Sequence, residues 1–483
     1  MAVLTLSAAA AQPWGVTIDR ELAAPAARRA IWSIHVRDLQ AGQTLYSRNA
    51  LVPFTPASNA KLFSSALALS RLGPDHRFVT RVLAAAPPCA DGTLQGPLML
   101  IGGGDPSLSG RTYPYEKNAK PLPALGPLQD LANAVVAAGV RRITGGVIGD
   151  DTLYPYEPYP EGWTVDDAAW EYGAALSALV VNDNALAVSV RPPRRAGEPA
   201  TVALYPPNDA LTVHNTLRVA PGLPASIRIH RPPNSTVLRV SGTVPPGASP
   251  VSSRIAFDDP ALAAAHLFKR LLEERGVTIT GPARARHRDA ATPYVAPEGV
   301  ELARRHSPPL SQILQVVNKV SQNLHAEIVL REAARASRGD ASREAAIEEL
   351  TTFLRSLGVP NDHHDFQDGS GLSRKTLVTT SATTRLLEKM AASEHAAIFV
   401  DTLPAGGVDG SLSYRFGATP NAAAIRAKTG TLSHVSALSG YILEAGRPRF
   451  AFSVMVNHAN MNSSAARNLL DKIVEEILRS TGQ

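Results

Sequence analysis

Ser58 and Lys61 stand three residues apart in the string SNAK at 58–61. On a helix, positions i and i+3 share a face, so the lysine amine can lie against the serine hydroxyl. A serine hydroxyl is a poor nucleophile until a base takes its proton. Lysine acts as that base only when burial or a second cation lowers its pKa. Two further strings supply the partners such a pair needs. In SQN at 321–323, Ser321 offers a hydroxyl to relay a proton to a leaving amine, and Asn323 an amide to hold Lys61 and a substrate amide. In KTG at 428–430, Lys428 is the second cation. Lys428 and Thr429 can meet a carboxylate, and Gly430 leaves room for a peptide along a strand edge. The N–H of Thr431 faces the same side as Thr429 in a strand. With the Ser58 N–H it can form an oxyanion hole. The chemistry is acyl transfer through a serine ester.

Taken singly, each string has an ordinary explanation. SNAK can be a solvated lysine beside a surface serine, SQN a polar break between helices, KTG a surface strand end. Three strings in this order, each at a fitting helix, loop or strand position, outweigh those explanations together.

The elements that must position these residues can be read around them. IWSIHVRDL at 31–39 reads as a strand, with helical character before it at Ala24–Ala30. TPASNAKLFSSALALSRLG at 55–73 reads as a helix that begins after Thr55 or Pro56 and stops at Gly73, which puts SNAK in its first turn. Residues 311–337 predict one or two helices around SQN, and 343–358 another. AAAIRA at 422–427 predicts a strand entering KTG. Residues 436–457 predict a hairpin turning at AGRP, and 463–481 a closing helix. Between about Phe78 and Pro282 short strands alternate with Pro/Gly-rich joints, and Pro260–Arg275 reads as an amphipathic helix. Helix and strand patterns at both ends, with this stretch between them, imply a discontinuous main domain.

A chain of 483 residues exceeds one ordinary domain. Its net charge of +6 is a small excess of 48 basic over 42 acidic residues, without a basic tract that would mark a nucleic-acid binder. Cys89 is the single cysteine, so neither an internal disulfide nor a cysteine metal cluster is expected. No run of 18 apolar residues predicts a membrane span. The start, MAVLTLSAAAAQPW, reads as the tail of a secretory signal cut near Ala11–Gln12, its positive region lying upstream, in preference to an ordinary frayed N-terminus. The expected compartment is the periplasm or cell envelope.

Longer stretches carry a family resemblance. FTPASNAKLFSSA, VNKVSQNLHAEIVLR, DGSGLSR at 368–374, IGGGDPSLSG at 101–110, VIGDDTLY at 147–154 and the spacing from Trp163 to Asn184 are all similar to the S13 serine D-Ala-D-Ala carboxypeptidases, the low-molecular-mass class C penicillin-binding proteins. The resemblance implies an α/β (α+β) transpeptidase-like fold, an antiparallel sheet with helices on both faces. It implies a catalytic domain over 16–79 plus 283–483, an inserted domain over 80–189 plus 256–282, and a small β-rich unit over 190–255. It makes Ser58 the acylated nucleophile and Lys61 its base, with Ser321, Asn323 and Lys428 completing the set. Thr429, Gly430 and Thr431 would bind substrate. Arg374 and Asp150, preferred to the adjacent Asp151, would meet the distal carboxylate and amine of a diaminopimelate-type peptide. Gln322 stands where aspartate is more familiar. No cofactor or metal is implied. The expected partners are peptidoglycan peptides and, as covalent inhibitors, β-lactams. A peripheral association with the wall or membrane surface and a homo-oligomer are both open. The alternatives are a β-lactamase or esterase, or a non-catalytic peptidoglycan-binding protein. The insertion is expected to carry no acyl-transfer residue and to consist of separately packed units.

Overall fold

A computed structural model describes residues 13–208, 211–232 and 235–479. The expected leader, with its cut near Ala11–Gln12, lies outside the described residues. The central sheet is antiparallel, with strands in the order Ile425–Leu432, Val435–Glu444, Arg447–Asn457, Ile31–Asp38 and Gln43–Arg48. Side chains alternate faces along a strand. Phe450, Phe452, Val454 and Val456 therefore pack with the helices Pro13–Ala23 and Ser463–Arg479, while Ala451 and Met455 face the helices Lys61–Leu72 and Thr380–Ala391. Ile31–Asp38 alternates apolar and polar residues but is buried on both faces, because Ser33 and His35 meet the hydroxyls of Thr380 and Thr384 on the helix that covers them. This is the antiparallel sheet with helices on both faces that the resemblance implies.

Two local expectations are corrected and a third is met. Helix precedes the first strand at Pro13–Ala23, and only the single turn Ala27–Arg29 falls within 24–30. Residues 422–424 form a 3-10 turn, so the strand entering KTG starts at Ile425. Of the one or two helices expected around SQN, two form, Leu310–Gln315, which loosens into a π turn at Val316–Val320, and Asn323–Arg338.

The inserted region has its own five-stranded sheet: Ala283–Arg286, Val147–Asp150, Leu98–Ile101, Val79–Ala84 and Val300–His306. Its two outer members, from 283–306, pair with strands Val147–Asp150 and Val79–Ala84. Sheet partnership thus carries the inserted region to His306, past the expected boundary at 282. The separate packing expected of the 190–255 unit is also not what forms. Leu238, Val240 and Ile255 share one core with Val82, Leu100, Leu131 and Phe268. The short strands there have one apolar face each, and these faces join the core that also holds the larger sheet and the helix Pro260–Glu273.

Candidate active site

Ser58 lies in a 3-10 turn, Ala57–Ala60, that runs directly into the helix starting at Lys61. Ala57 is held at φ +48°, a left-handed conformation that costs an alanine on the order of 1–3 kcal/mol. Two close approaches hold it there. A Cβ on Gly371, itself at φ +76°, would sit 1.8 Å from the Ala57 carbonyl oxygen. A Cβ on Gly430 would sit 2.6 Å from the Pro56 carbonyl oxygen and 3.1 Å from the Ser58 nitrogen. Glycine at 430 therefore seats the strand against the nucleophile's turn, a different reason from the room for a peptide that the sequence suggested.

Lys61 is fully buried and its Nζ has three partners. They are Ser58 Oγ at 2.9 Å, Asn323 Oδ1 at 2.5 Å and the Ser370 carbonyl at 2.8 Å. Two of these can only accept. The Asn323 amide is oriented by its Nδ2, which donates to the Tyr172 carbonyl at 2.7 Å. A neutral lysine amine has two N–H groups and one lone pair. With the N–H groups given to Asn323 and Ser370, the lone pair is left for the Ser58 hydroxyl. Burial lowers the Lys61 pKa to about 7, partly opposed by the charges of Asp368 and Glu327. Desolvation, rather than the second lysine, is the main cause.

Lys428 is equally buried and donates to Ser321 Oγ at 2.8 Å and to the Thr429 carbonyl at 2.8 Å. Burial and then the charge of Lys61 push its pKa well below the usual lysine range. Ser321 adopts φ +67°, ψ +39°, which turns its hydroxyl back after the π turn. The Gln322 side chain caps the next helix, Asn323–Arg338, accepting from the Leu324 N–H at 2.8 Å. An aspartate can also cap, so the residue type there is not fixed by the lysines.

The KTG strand is an edge of its sheet. Ala427 N–H donates to the Pro404 carbonyl, and the Ile425 carbonyl accepts from Gly406, each at 3.0 Å. By the two-residue period, Thr429 and Thr431 present their backbone to the same outer edge. Past Gly406 no described backbone group covers them, and Thr429 Oγ1 meets Ser411 Oγ at 2.7 Å.

The remaining expected residues sit differently. Arg374 is exposed and makes no side-chain hydrogen bond or ion pair among the described residues. Its charge reaches the Tyr172 phenol, as do those of Asp166 and Asp167, with burial the largest influence on that group. Asp150 is not brought to this place. Its carboxylate is buried, accepts from Thr152 Oγ1 at 2.6 Å and pairs with Arg286 at 3.3 Å. Asp151 is taken by His287 and Ser177, each at 2.9 Å. Asp166 and Asp167, in the stretch VDDAAWEYG, are the acids that act on the same Tyr172 phenol as Arg374.

Sequence reasoning missed the inserted arm that includes Glu157 to Tyr172. Besides the Tyr172 carbonyl on Asn323, Trp163 Nε1 donates to Asp368 at 3.0 Å, and the Glu161 carbonyl accepts from Ser373 Oγ at 2.7 Å. The insertion thus braces two walls of the site. Glu327, Asp368 and Ser370 were also missed, although NLHAE and DGSGLSR both stood out as strings.

A family model described as the D-Ala-D-Ala carboxypeptidase 3 (S13) family matches residues 16–477. The chain is 34% identical over 452 residues to the D-alanyl-D-alanine carboxypeptidase of Actinomadura sp. (strain R39), covering 91% of this chain and 80% of that one. It is 24% identical over 429 residues to the D-alanyl-D-alanine carboxypeptidase DacB of Haemophilus influenzae, covering 87% and 84%. The crystal structure of penicillin binding protein 4 (dacB) from Haemophilus influenzae superposes with a TM-score of 0.78 at 22% identity, over 96% of this chain and 98% of that one.

Proposed function

This chain belongs to the D-Ala-D-Ala carboxypeptidase 3 (S13) family and is a serine-type DD-peptidase, and from that premise we propose how its residues divide the reaction. Lys61 takes the Ser58 proton through the lone pair aimed at it. Ser58 Oγ attacks the carbonyl of the penultimate D-alanine of a peptidoglycan stem peptide. The oxyanion forms against the N–H groups of Ser58 and Thr431. Ser321 passes a proton to the leaving D-alanine amine as the C–N bond breaks, Lys428 resupplies Ser321, and the proton that Lys61 took from Ser58 returns to this relay, so that Lys61 is neutral again. Water then attacks the ester with Lys61 again as base, releasing the shortened peptide and Ser58. Lys428 and Thr429 hold the terminal carboxylate, and the peptide lies along the free edge of the KTG strand. A β-lactam enters the same way and leaves an acyl group on Ser58.

The same chemistry serves a crosslink, where the leaving amine belongs to a neighbouring stem peptide, so DD-endopeptidase action accompanies carboxypeptidase action. Arg374 with Asp166 and Asp167 suits the distal carboxylate and amine of a diaminopimelate side chain. This assigns to that pair of acids the role first expected of Asp150. Such substrates place the enzyme in the cell envelope, and the described residues include no helix long and apolar enough to cross a membrane. The three partners of Lys61, two acceptors and one hydroxyl, carry this reading.

Ser58→Ala tests it. Acylation by a labelled penicillin and release of D-alanine from a purified muropeptide pentapeptide should both fall by about 10³-fold or more. Labelling that persists in S58A would sink the assignment.

A further inference from the structure

Glu327 lies four residues beyond Asn323 on the same helix, its carboxylate buried beneath the loop 368–371. Both of its oxygens accept from the Gly369 N–H at 3.0 Å, and Oε1 accepts from the Ser370 N–H at 2.8 Å. Ser64 Oγ donates to the Gly369 carbonyl at 2.9 Å. Three of the four backbone groups of Gly369 and Ser370 are thereby fixed. The fourth, the Ser370 carbonyl, is the one that takes an N–H of Lys61. If that carbonyl moved, the amine would be free to turn, and its lone pair would no longer be confined to Ser58.

We propose that Glu327 is a positioning residue for the acyl transfer, holding the Ser370 carbonyl against Lys61 and lending the base a buried negative charge. The inference rests on Lys61 being the base. The charged groups around Glu327 are few. Asp368 faces it from the loop, Lys61 from the nucleophile's helix, and Arg331 from its own helix, where Glu157 of the inserted arm meets that arginine at 2.5 Å. Burial, then the Asp368 charge, raises the Glu327 pKa to about 7, while the two backbone N–H groups and Arg331 favour its charged form. A negative charge near Lys61 favours the ammonium form. Without it, burial would drive the lysine further down and make it a weaker base.

The sign of the test follows. Acylation requires neutral Lys61, so its rate rises with pH through the Lys61 pKa. Glu327→Gln keeps the shape and removes the charge, and the midpoint of that rise should move to lower pH. The plateau rate of penicillin acylation should fall about tenfold, because an amide NH₂ now faces the Gly369 N–H. Glu327→Asp keeps the charge but is one methylene shorter. It should hold the midpoint near wild type while losing rate. A folded E327Q with an unmoved midpoint, or an E327D acylated at the wild-type rate, overturns the proposal. Should E327Q not fold, the E327D rate decides. Lys61→Arg, run alongside, separates the two layers. If K61R still acylates with the wild-type pH rise, the base assignment is wrong. If K61R is inert while E327Q keeps the wild-type midpoint, only the role of Glu327 fails.

Discussion

Two clusters of buried charge meet the start of the SQN helix, and they are built on opposite principles. Lys61 and Lys428 are fully buried, and neither has an ion-pair partner among the described residues. Asp183, which reaches the same helix through His325, is buried nearly as deeply but is fully engaged. It meets Arg111 at 2.7 Å, Arg254 at 3.7 Å and His325 at 2.9 Å. Against the penalty of burial, Arg111 and His325 hold its carboxyl well below the usual carboxylate range. Its backbone is costly too, since Asn182, Asp183 and Asn184 all have positive φ. His325 sits two residues after Asn323. One cluster keeps cations unpaired so that protons can move, and the other pairs its charges so that the helix carrying Asn323 stays put. Unpaired burial shifts pKa values, whereas paired burial fixes geometry.

Three substitutions probe that contrast, beginning with the largest effect. Asp183→Ala removes the more deeply buried of the two carboxylates that Arg111 and Arg254 share, leaving them Glu171, and takes the partner of buried His325. It should destabilise the fold by about 3–5 kcal/mol, the loss typical of breaking a buried pair from one side. Chemical denaturation measures it, and a loss under about 1 kcal/mol would show that the cluster is not a brace. Lys428→Met is the opposite case, since it removes a buried cation that lacks a counter-charge. Penicillin acylation should drop by about 10²-fold or more, while the unfolding free energy should stay level or rise by about 1 kcal/mol. Destabilisation comparable to D183A would erase the contrast between the clusters. Arg374→Ala has the smallest expected effect. Hydrolysis of diaminopimelate peptides should fall about tenfold, with penicillin acylation nearly unchanged. Equal loss on both substrates would move Arg374 into the chemistry.

The residues that were legible in sequence are those whose neighbours are local. Ser58 and Lys61 share a helix turn, and Thr429 and Thr431 share a strand edge, so spacing alone places them. Asp150 shows the limit of this. VIGDD and VDDAAW both offer adjacent acids after a plausible turn, and only the fold shows that the first pair is consumed by Thr152, Arg286, His287 and Ser177. Tyr172 was invisible for another reason. Its contribution to Asn323 is a backbone carbonyl, which any residue type supplies. Glu327 stood in a conspicuous string, but a carboxylate that receives backbone N–H groups from a loop far along the chain leaves no periodic trace. The inserted region was misdivided because a strand's partners, unlike its own pattern, are not written in its residues. Ala283–Arg286 and Val300–His306 look like the start of the next domain until their register is seen.

The pairing of Ile31–Asp38 with Arg447–Asn457 has a consequence in time. A chain is made from its N-terminus, so the first strands of the catalytic sheet wait for nearly the last residues before that sheet closes. All five strands of the inserted sheet fall between Val79 and His306 and can assemble sooner. Sheets built from distant strands also form slowly once the chain is complete. Throughout that interval Ser58 has no strand behind it and no Lys428 near it. The connectivity of the fold withholds a reactive serine from the growing chain, and arms it only on arrival of the C-terminal hairpin.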